Sequence, residues 1–190
     1  MSQVDDPGST VSLTPGSTSS AALTIRPAVP DDAAVVAAIY NEGIRGRGAT
    51  FETLERTADD VRAWLAAAGA PAHPFLVAED VIGAVLGWIR ASSYRPRACY
   101  AGVGEFSVYV AGAAQGRRVG DALMAAFIPA CAAAGLTKLL SRIFPENRAS
   151  LALCARHGFR EVGRYEKHAK LDGVWRDVVI VERLIRENMD

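Results

Sequence analysis

Glycine and arginine residues between a strand-like and a helix-like stretch are the part of this sequence best suited to binding an anion. Residues Phe106 to Ala111 are β-branched and aromatic, as strands are, and apolar residues recur at helical spacing from about residue 117 to 134. Gln115-Gly-Arg-Arg-Val-Gly120 joins the two. The first amides of a helix lack intrahelical partners, and glycine lets a phosphate approach the backbone. We therefore expect a phosphate-binding turn, with a merely basic surface turn as the alternative.

A second candidate binding element begins at Asn147, which opens a helical pattern that ends near His157-Gly158. Asn147 and Ser150 occupy cap positions at the start of this helix, so their side chains could contact a ligand, and plain helix capping is the alternative. Cys154 and His157 have helical i, i+3 spacing, but two ligands without others do not make a metal site. No metal is expected.

The segments that must position these residues alternate between strand and helix patterns. A helix capped by Asp31 or Asp32 follows the first strand. The Gly/Arg-rich connection from Gly43 to Phe51 is long enough to bind a ligand. Pro71 helps to close the second helix. Strands are predicted at residues 23–28, 75–78, 81–90, 99–111, 138–144, 159–167 and 175–184, with a tight Glu79-Asp80 turn in the first hairpin. The order β-α-α-β-β-β-α-β-α-β-β predicts an α/β (α+β) fold with a mixed, mostly antiparallel sheet and helices on both faces.

Composition restricts the class of protein. A chain of 190 residues, half of them apolar, fits one domain. Its 21 basic and 21 acidic residues balance, which argues against bulk binding to nucleic acid or an anionic membrane. Three scattered cysteines suggest neither a disulfide framework nor a zinc site. Neither a membrane span nor a signal peptide is apparent, so we expect a cytoplasmic protein with a small-molecule partner.

The first 22 residues differ in composition from the rest. They are rich in Ser, Thr, Gly and Pro, with almost no large apolar side chains. Such a segment cannot bury enough surface to offset its ordering entropy. Residues 1–22 are therefore expected to be a disordered leader, or alternatively an arm packed on a neighbouring molecule, and residues 23–187 to form the domain.

The loop after Ala111 resembles that of a known family. It has neither the Walker spacing nor a G-x-G-x-x-G pattern. It is similar to the coenzyme A pyrophosphate loop of the GNAT superfamily of N-acetyltransferases, whose pattern is Gln or Arg, two residues, Gly, one residue, then Gly or Ala. Arg118 occupies the first of those glycine positions. Because a residue in a first helical turn does not need a positive φ, we expect an altered contact and an intact site.

Further motifs resemble the phosphinothricin and arsinothricin N-acetyltransferase group of this superfamily. They are Arg97-Ala-Cys-Tyr100, Glu105-Phe-Ser-Val-Tyr-Val110, Ser141-Arg-Ile-Phe-Pro-Glu-Asn147 and Leu171-Asp-Gly-Val-Trp-Arg-Asp-Val178. Before residue 94 the likeness is only in outline, chiefly at Ala49-Thr-Phe51. The resemblance implies transfer of an acetyl group from acetyl-CoA to the α-amino group of a glutamate-like amino acid with an anionic side chain, and hence resistance by detoxification.

The resemblance also implies roles for individual residues. Glu105 would be the general base, since an ammonium must lose a proton before its nitrogen can attack a thioester. The alternatives for Glu105 are a surface acid on a strand or a salt-bridge partner to a nearby arginine. Cys154 stands where phosphinothricin enzymes have a histidine, and it would either protonate the departing thiolate or simply pack. The implied coenzyme contacts are Val108, Tyr109, Val110, Gln115, Gly116, Arg117, Arg118, Val119, Gly120, Asn147 and Ser150, and the implied substrate contacts are Phe51, Arg97 and Tyr100.

Two further expectations concern partners and competing functions. The apolar content of the terminal strands exceeds what one exposed sheet edge should show (Trp175, Val178, Val179, Ile180, Val181). This indicates a homodimer with its sites near the subunit boundary. The same fold could instead acetylate a protein N-terminus or a polyamine, or bind acyl-CoA without catalysis. Arg97 and Tyr100 favour an anionic acceptor over the first alternative, and Glu105 argues against the second.

Overall fold

A computed structural model describes residues 22–67 and 73–189, which form one seven-stranded sheet with helices on both faces. The strands are β1 (Thr24–Pro27), β2 (Phe75–Glu79), β3 (Val85–Ser93), β4 (Val103–Val110), β5 (Lys138–Ile143), β6 (Arg160–Leu171) and β7 (Val174–Leu184). The helices are α1 (Ala33–Gly46), α2 (Ala58–Ala67), α3 (Val119–Ala133) and α4 (Arg148–Arg156). The sheet order is β1-β2-β3-β4-β5-β7-β6, and only β4 and β5 are parallel. The element order and the mixed, mostly antiparallel sheet are confirmed.

Alternate side chains of the central strands supply two separate apolar cores. Trp88 packs with Val36 of α1 and Val61 of α2 on one face. Its neighbour Ile89 packs with Phe127 of α3 on the other face. Successive residues of a strand point to opposite faces, so one strand can hold a helical layer on each side. The sheet is thereby fixed between the two layers, and the site built on its middle strands rests on a rigid support.

Local hydrogen bonds overturn two predicted boundaries. The supposed connection after Gly43 is still helical, because α1 continues to Gly46 and ends where Arg47 adopts φ 55°. The turn between β2 and β3 is wider than the predicted tight turn at Glu79-Asp80. The Asp80 carboxylate accepts the amides of Ile82 and Ala84 at 3.1 and 3.0 Å, so residues 81–84 belong to the turn and not to the strand.

Two more local predictions are corrected. Asp32 precedes α1, but its side chain does not cap this helix. Its carboxylate accepts the Val29 amide at 2.8 Å and both terminal nitrogens of Arg26, because the ion pair with β1 competes for the same oxygens. The strand predicted from Cys99 begins only at Val103, since residues 98–100 form a short 3-10 turn.

Some predictions lie outside the described residues. These are the disordered leader, for all but its last residue, and the role of Pro71 in closing α2. Within the described part of the chain, none of the helices is both long enough and apolar enough to span a membrane.

Candidate active site

The two parallel strands in the middle of the sheet separate partway along their length. They pair only from Val103–Lys138 to Glu105–Leu140, although β4 continues to Val110 and β5 to Ile143. Beyond Glu105, β4 therefore has an unpaired edge that faces β5. This opening could not be predicted from the sequence.

Backbone groups of β4 point into this opening. The Ala111 amide donates to the Leu86 carbonyl at 2.9 Å, and hydrogen-bonded pairs alternate along an antiparallel ladder. Residues 106, 108 and 110 consequently direct their amides and carbonyls away from β3. The Val108 and Val110 groups are free to pair with an extended ligand as an added strand would.

A cavity of about 450 Å³ lies beside the opening, on the face covered by α1 and α2. Glu105, Phe106, Ser107 and Tyr109 line it from β4, and the side chains of Glu105, Ser107 and Tyr109 share one face of the strand. The remaining wall comes from the loop after α1 (Ala49, Thr50, Phe51, Glu52), from Ser141, Arg142 and Phe144 around the end of β5, and from Tyr40, His168 and Val178. A volume of this size suits a small molecule.

Glu105 forms a bidentate ion pair with Arg142 at the cavity wall. Arg142 Nε donates to one carboxylate oxygen at 2.8 Å and Nη2 donates to the other at 2.7 Å. The Glu105 side chain is 20% exposed and that of Arg142 is 46% exposed. Sequence reasoning offered an arginine salt bridge only as an alternative for Glu105, and it gave Arg142 no role. The one available signal was the position of Arg142 near the end of a strand that could neighbour β4.

Aromatic side chains close the other side of the cavity. Phe51 packs edge-on against Phe144, with ring centroids 4.8 Å apart. His168 lies 6.4 Å from Phe51 and stacks on Tyr165 at 5.1 Å. The β6–β7 register shifts between Tyr165 and Ala169, and this irregularity of the strand brings His168 to the cavity. Phe51 was predicted as a substrate contact and does line the cavity, whereas His168 was missed because the irregularity leaves no pattern in the sequence.

Burial changes the chemistry of Tyr109 at the inner wall. Desolvation raises the pKa of its phenol well above the usual range, so Tyr109 stays protonated in the physiological range. Its hydroxyl donates to the Ala49 carbonyl at 3.3 Å. This contact joins β4 to the loop after α1 and holds that loop over the cavity.

The predicted anion loop has the expected position but an unexpected backbone. Gly116 has φ 76°, and Arg118, which precedes α3, has φ 62°. The expectation that this position needs no positive φ is therefore wrong, because the chain must turn through a left-handed residue before the helix begins at Val119. Gln115, Arg117 and Arg118 are exposed, and the first amides of α3, including that of Gly120, have no intrahelical acceptor. Anion binding by this loop stays a prediction.

The second predicted element, α4, packs against the first turn of α3. A Cβ built on Gly120 would come within 3.2 Å of Leu153 Cδ2. Asp121 accepts from Arg156 at 3.0 and 3.1 Å and contacts His157 Nε2 at 3.2 Å. The Arg156 hydrogen bonds hold the pKa of Asp121 below its usual value. The start of α3 and the end of α4 thus form one block.

The residues at the start of α4 show the plain capping arrangement. Asn147 Oδ1 accepts the Ser150 amide at 3.1 Å. Both side chains are partly exposed. The side-chain Nδ2 of Asn147 and the hydroxyl of Ser150 are not part of this hydrogen bond. A ligand contact by either group stays a prediction.

Three of the predicted catalytic and substrate-binding residues lie outside the cavity wall. Arg97 and Tyr100 belong to the loop between β3 and β4, where Arg97 is exposed and the Tyr100 ring packs edge-on against Tyr94. Cys154 is 1% exposed within the core under α3. Burial raises the pKa of its thiol to about 11. These surroundings fit packing better than proton transfer, and the catalytic role of Cys154 stays a prediction.

No cluster of three or more metal-ligating side chains occurs in the part of the chain that the structure describes. The cavity lining offers two carboxylates (Glu52 and Glu105), the Arg142 guanidinium, the His168 imidazole and several hydroxyl groups, beside the free edge of β4.

Comparison with known proteins identifies the architecture. Residues 22–160 match the acetyltransferase (GNAT) domain. A phosphinothricin N-acetyltransferase of Streptomyces coelicolor is 35% identical over 86% of this chain and 96% of its own. An L-methionine sulfoximine/L-methionine sulfone acetyltransferase of Pseudomonas paraeruginosa is 31% identical over 83% and 92%. The crystal structure of a GNAT superfamily phosphinothricin acetyltransferase from Sinorhizobium meliloti, in complex with acetyl-CoA, has a TM-score of 0.82 at 28% identity, covering 87% of this chain and 89% of that one.

Proposed function

This chain belongs to the GNAT acetyltransferase family, and on that premise we propose that it acetylates the α-amino group of a small glutamate-like amino acid, such as phosphinothricin or arsinothricin. Acetyl-CoA is the donor, and the biological result is detoxification of the acceptor. The observation that carries the proposal is the position of Glu105, a carboxylate at the last paired position before β4 and β5 separate, beside a cavity of about 450 Å³. The relatives named for acetylating phosphinothricin and methionine sulfoximine support an amino-acid acceptor.

The coenzyme is proposed to lie along the free edge of β4. Val108 and Val110 would exchange backbone hydrogen bonds with its amide-containing arm, with Tyr109 and Val119 beside it. The amides from Gly116 to Gly120 and the exposed charges of Arg117 and Arg118 would meet its pyrophosphate, with Gln115 at the rim. Asn147 and Ser150 would contact it from α4.

Glu105 is proposed as the base. Both of its oxygens accept from Arg142, but an ionised carboxylate offers about four lone-pair positions, so it can also accept from a substrate ammonium or from a bridging water. Glu105 takes the proton, and the amine nitrogen then attacks the thioester carbonyl carbon. The tetrahedral oxyanion accepts from a backbone amide at the opening. As the intermediate collapses, the carbon–sulfur bond breaks and coenzyme A leaves as the thiolate. The nitrogen loses its second proton, which neutralises the thiolate directly or through water.

The acceptor is proposed to be held by Phe51 in the cavity and by Arg97 and Tyr100 from the β3–β4 loop. Arginine suits a doubly oxygenated anion because its donors form a planar fork. In this structure Phe51 lines the cavity and the two loop residues do not, so their contact with an acceptor requires a long side chain or movement of the loop.

A thiol-release assay with acetyl-CoA tests the function. The acceptors are phosphinothricin, arsinothricin, methionine sulfoximine, glutamate and a short peptide. Glu105→Gln should lower kcat by roughly 10²–10⁴-fold, as general-base loss typically does. The defect should shrink as the pH rises toward the pKa of the substrate's amino group, because alkaline buffer supplies the deprotonated nucleophile.

Glu55→Gln is the matched control, since Glu55 forms an exposed ion pair with Arg45 and does not line the cavity. Its kcat should equal that of the wild type. A Glu105→Gln defect that is constant with pH would rule out the proposed base. Activity on the peptide alone would exclude a free amino acid as the acceptor.

We also propose that the protein is a homodimer, with each site near the boundary. Of the apolar residues that indicate a dimer, Val178, Val179 and Val181 are buried within the single chain and do not support it. The better support is the edge hairpin β6–β7, where Val162 and Trp175 are 48% and 52% exposed. Sedimentation should show a dimer that Trp175→Lys dissociates. Val81→Lys, at an exposed turn, is the control. A monomeric wild type at micromolar concentration would refute the proposal.

A cytoplasmic location stays a prediction.

A further inference from the structure

We infer that Arg142 is the receptor for the α-carboxylate of the acceptor, so that the Glu105–Arg142 pair recognises the two adjacent charges of a free α-amino acid. The inference rests on the proposed function and extends it to the class of acceptor. Without substrate the two side chains neutralise each other. With substrate, Arg142 binds the carboxylate and Glu105 binds the ammonium.

The placement of the pair supports this exchange. Glu105 occupies the last paired position of β4 with β5, and Arg142 lies two residues beyond its partner Leu140 on β5. The two side chains therefore meet across the point where the strands separate, where the thioester is proposed to lie. Both line the cavity. The Arg142 side chain is 46% exposed. Because a solvent-exposed ion pair contributes little free energy, Arg142 can turn from Glu105 toward a ligand at small cost.

The charges of the cavity wall point to the same residue. Arg142 is the one permanently cationic side chain among the described residues that line the cavity, and His168 is the other basic one. The acids are Glu105 and Glu52, and Glu52 is held by Arg56 at 2.7 Å. An anionic group that enters the cavity therefore has one guanidinium to bind. Arg97 lies in a loop outside this wall and could serve only an anion that extends beyond it.

The chemistry of the acceptor decides which anion that is. In an α-amino acid a single carbon joins the ammonium nitrogen to the carboxylate. A substrate whose ammonium lies on Glu105 must therefore place its α-carboxylate against the group adjacent to Glu105, and that group is Arg142. A side-chain anion several bonds away cannot reach the same position at the same time.

Binding of such a zwitterion replaces one internal ion pair by two intermolecular ones. It also frees both oxygens of Glu105 from the guanidinium, which leaves them available to take the proton. An amine without a neighbouring carboxylate, such as a peptide N-terminus or a polyamine, would either share Glu105 with the guanidinium or break the internal pair and leave Arg142 without a partner. The pair therefore selects free amino acids.

The test compares free acids with their α-carboxamides. Phosphinothricin, methionine sulfoximine and the α-carboxamide of each are assayed with wild type, Arg142→Gln, Arg142→Lys and Arg62→Gln. Arg62 pairs with Asp59 on the exposed face of α2, so its variant is a control for loss of a surface arginine. The KM for acetyl-CoA and the thermal midpoint report on folding and on the coenzyme site.

The wild type should prefer the acid over the amide by about 10- to 100-fold in kcat/KM, which is the range for one charge-assisted contact. Arg142→Gln should abolish this preference by raising the KM for the acid and leaving the amide unchanged. Arg142→Lys should restore part of the preference, and Arg62→Gln should behave as wild type.

Two outcomes would overturn the inference alone. One is an Arg142→Gln defect that is equal for acid and amide, which would mean that Arg142 only positions Glu105. The other is no defect at all. If the wild type acetylates neither acid, the proposed function fails and this inference fails with it.

Discussion

Replacing Arg118 by glycine should stabilise the protein, although it removes a residue from a proposed binding loop. Arg118 has φ 62° and ψ 17°, immediately before α3. A left-handed conformation costs a residue with a Cβ atom roughly 1–2 kcal/mol. Glycine pays no such penalty, but it adds about 0.4–1 kcal/mol of conformational entropy to the unfolded chain. The net gain for Arg118→Gly is therefore about 0.5–1 kcal/mol.

A matched comparison isolates the backbone effect. Arg117 is the exposed neighbour with the same charge, and its φ is not positive. Arg117→Gly carries the same entropy cost and the same loss of charge, with no strain to relieve. The two variants should thus differ by the strain alone, roughly 1–2 kcal/mol, or about 2–8 °C in Tm for a chain of this size.

The assay is calorimetric unfolding without coenzyme, so that loss of a phosphate contact does not enter the measurement. Arg118→Ala completes the set, because it removes the charge but keeps the Cβ atom, and it should show no gain. If Arg118→Gly and Arg117→Gly unfold at the same temperature, or if Arg118→Ala is as stable as Arg118→Gly, the strain argument is wrong.

Two further predictions concern a buried carboxylate and a buried thiol. Arg26 holds the pKa of Asp32 below its ordinary value of 3.8, so this stabilisation is complete above that pH and is lost as the pH falls through the folded-state pKa. Asp32→Asn should lower the free energy of unfolding at pH 7 by about 1.5–3 kcal/mol. Urea titrations should show this difference from wild type shrinking below about pH 4. A difference that stays constant with pH would contradict the role of the Asp32 charge. Cys154→Ala should lower Tm but change kcat by less than about threefold, because the thiol packs in the core. A tenfold loss of kcat at unchanged KM would instead establish Cys154 as the proton donor.

Local patterns in the sequence were sufficient for the element order and for the two helices that carry the proposed coenzyme contacts. The turn after Ala111 and the cap at Asn147 are built from residues within a few positions of each other. The starts of the two helices could be recognised from the glycine, hydroxyl and amide groups beside them. Glu105 was singled out in another way, by the resemblance of Glu105-Phe-Ser-Val-Tyr-Val110 to the family motif, and the need for a base in acetyl transfer supported that role.

The tertiary structure decided how the site is assembled. Glu105 and Arg142 are 37 residues apart, and they meet only because β5 lies parallel to β4 in one register and then separates from it. Neither the register nor the separation leaves a pattern in either strand, because both depend on the packing of helices against the two faces of the sheet. The left-handed Arg118 was hidden for a related reason. Its φ is set by where the end of β4 and the start of α3 must join, and residue type favours that conformation only in glycine.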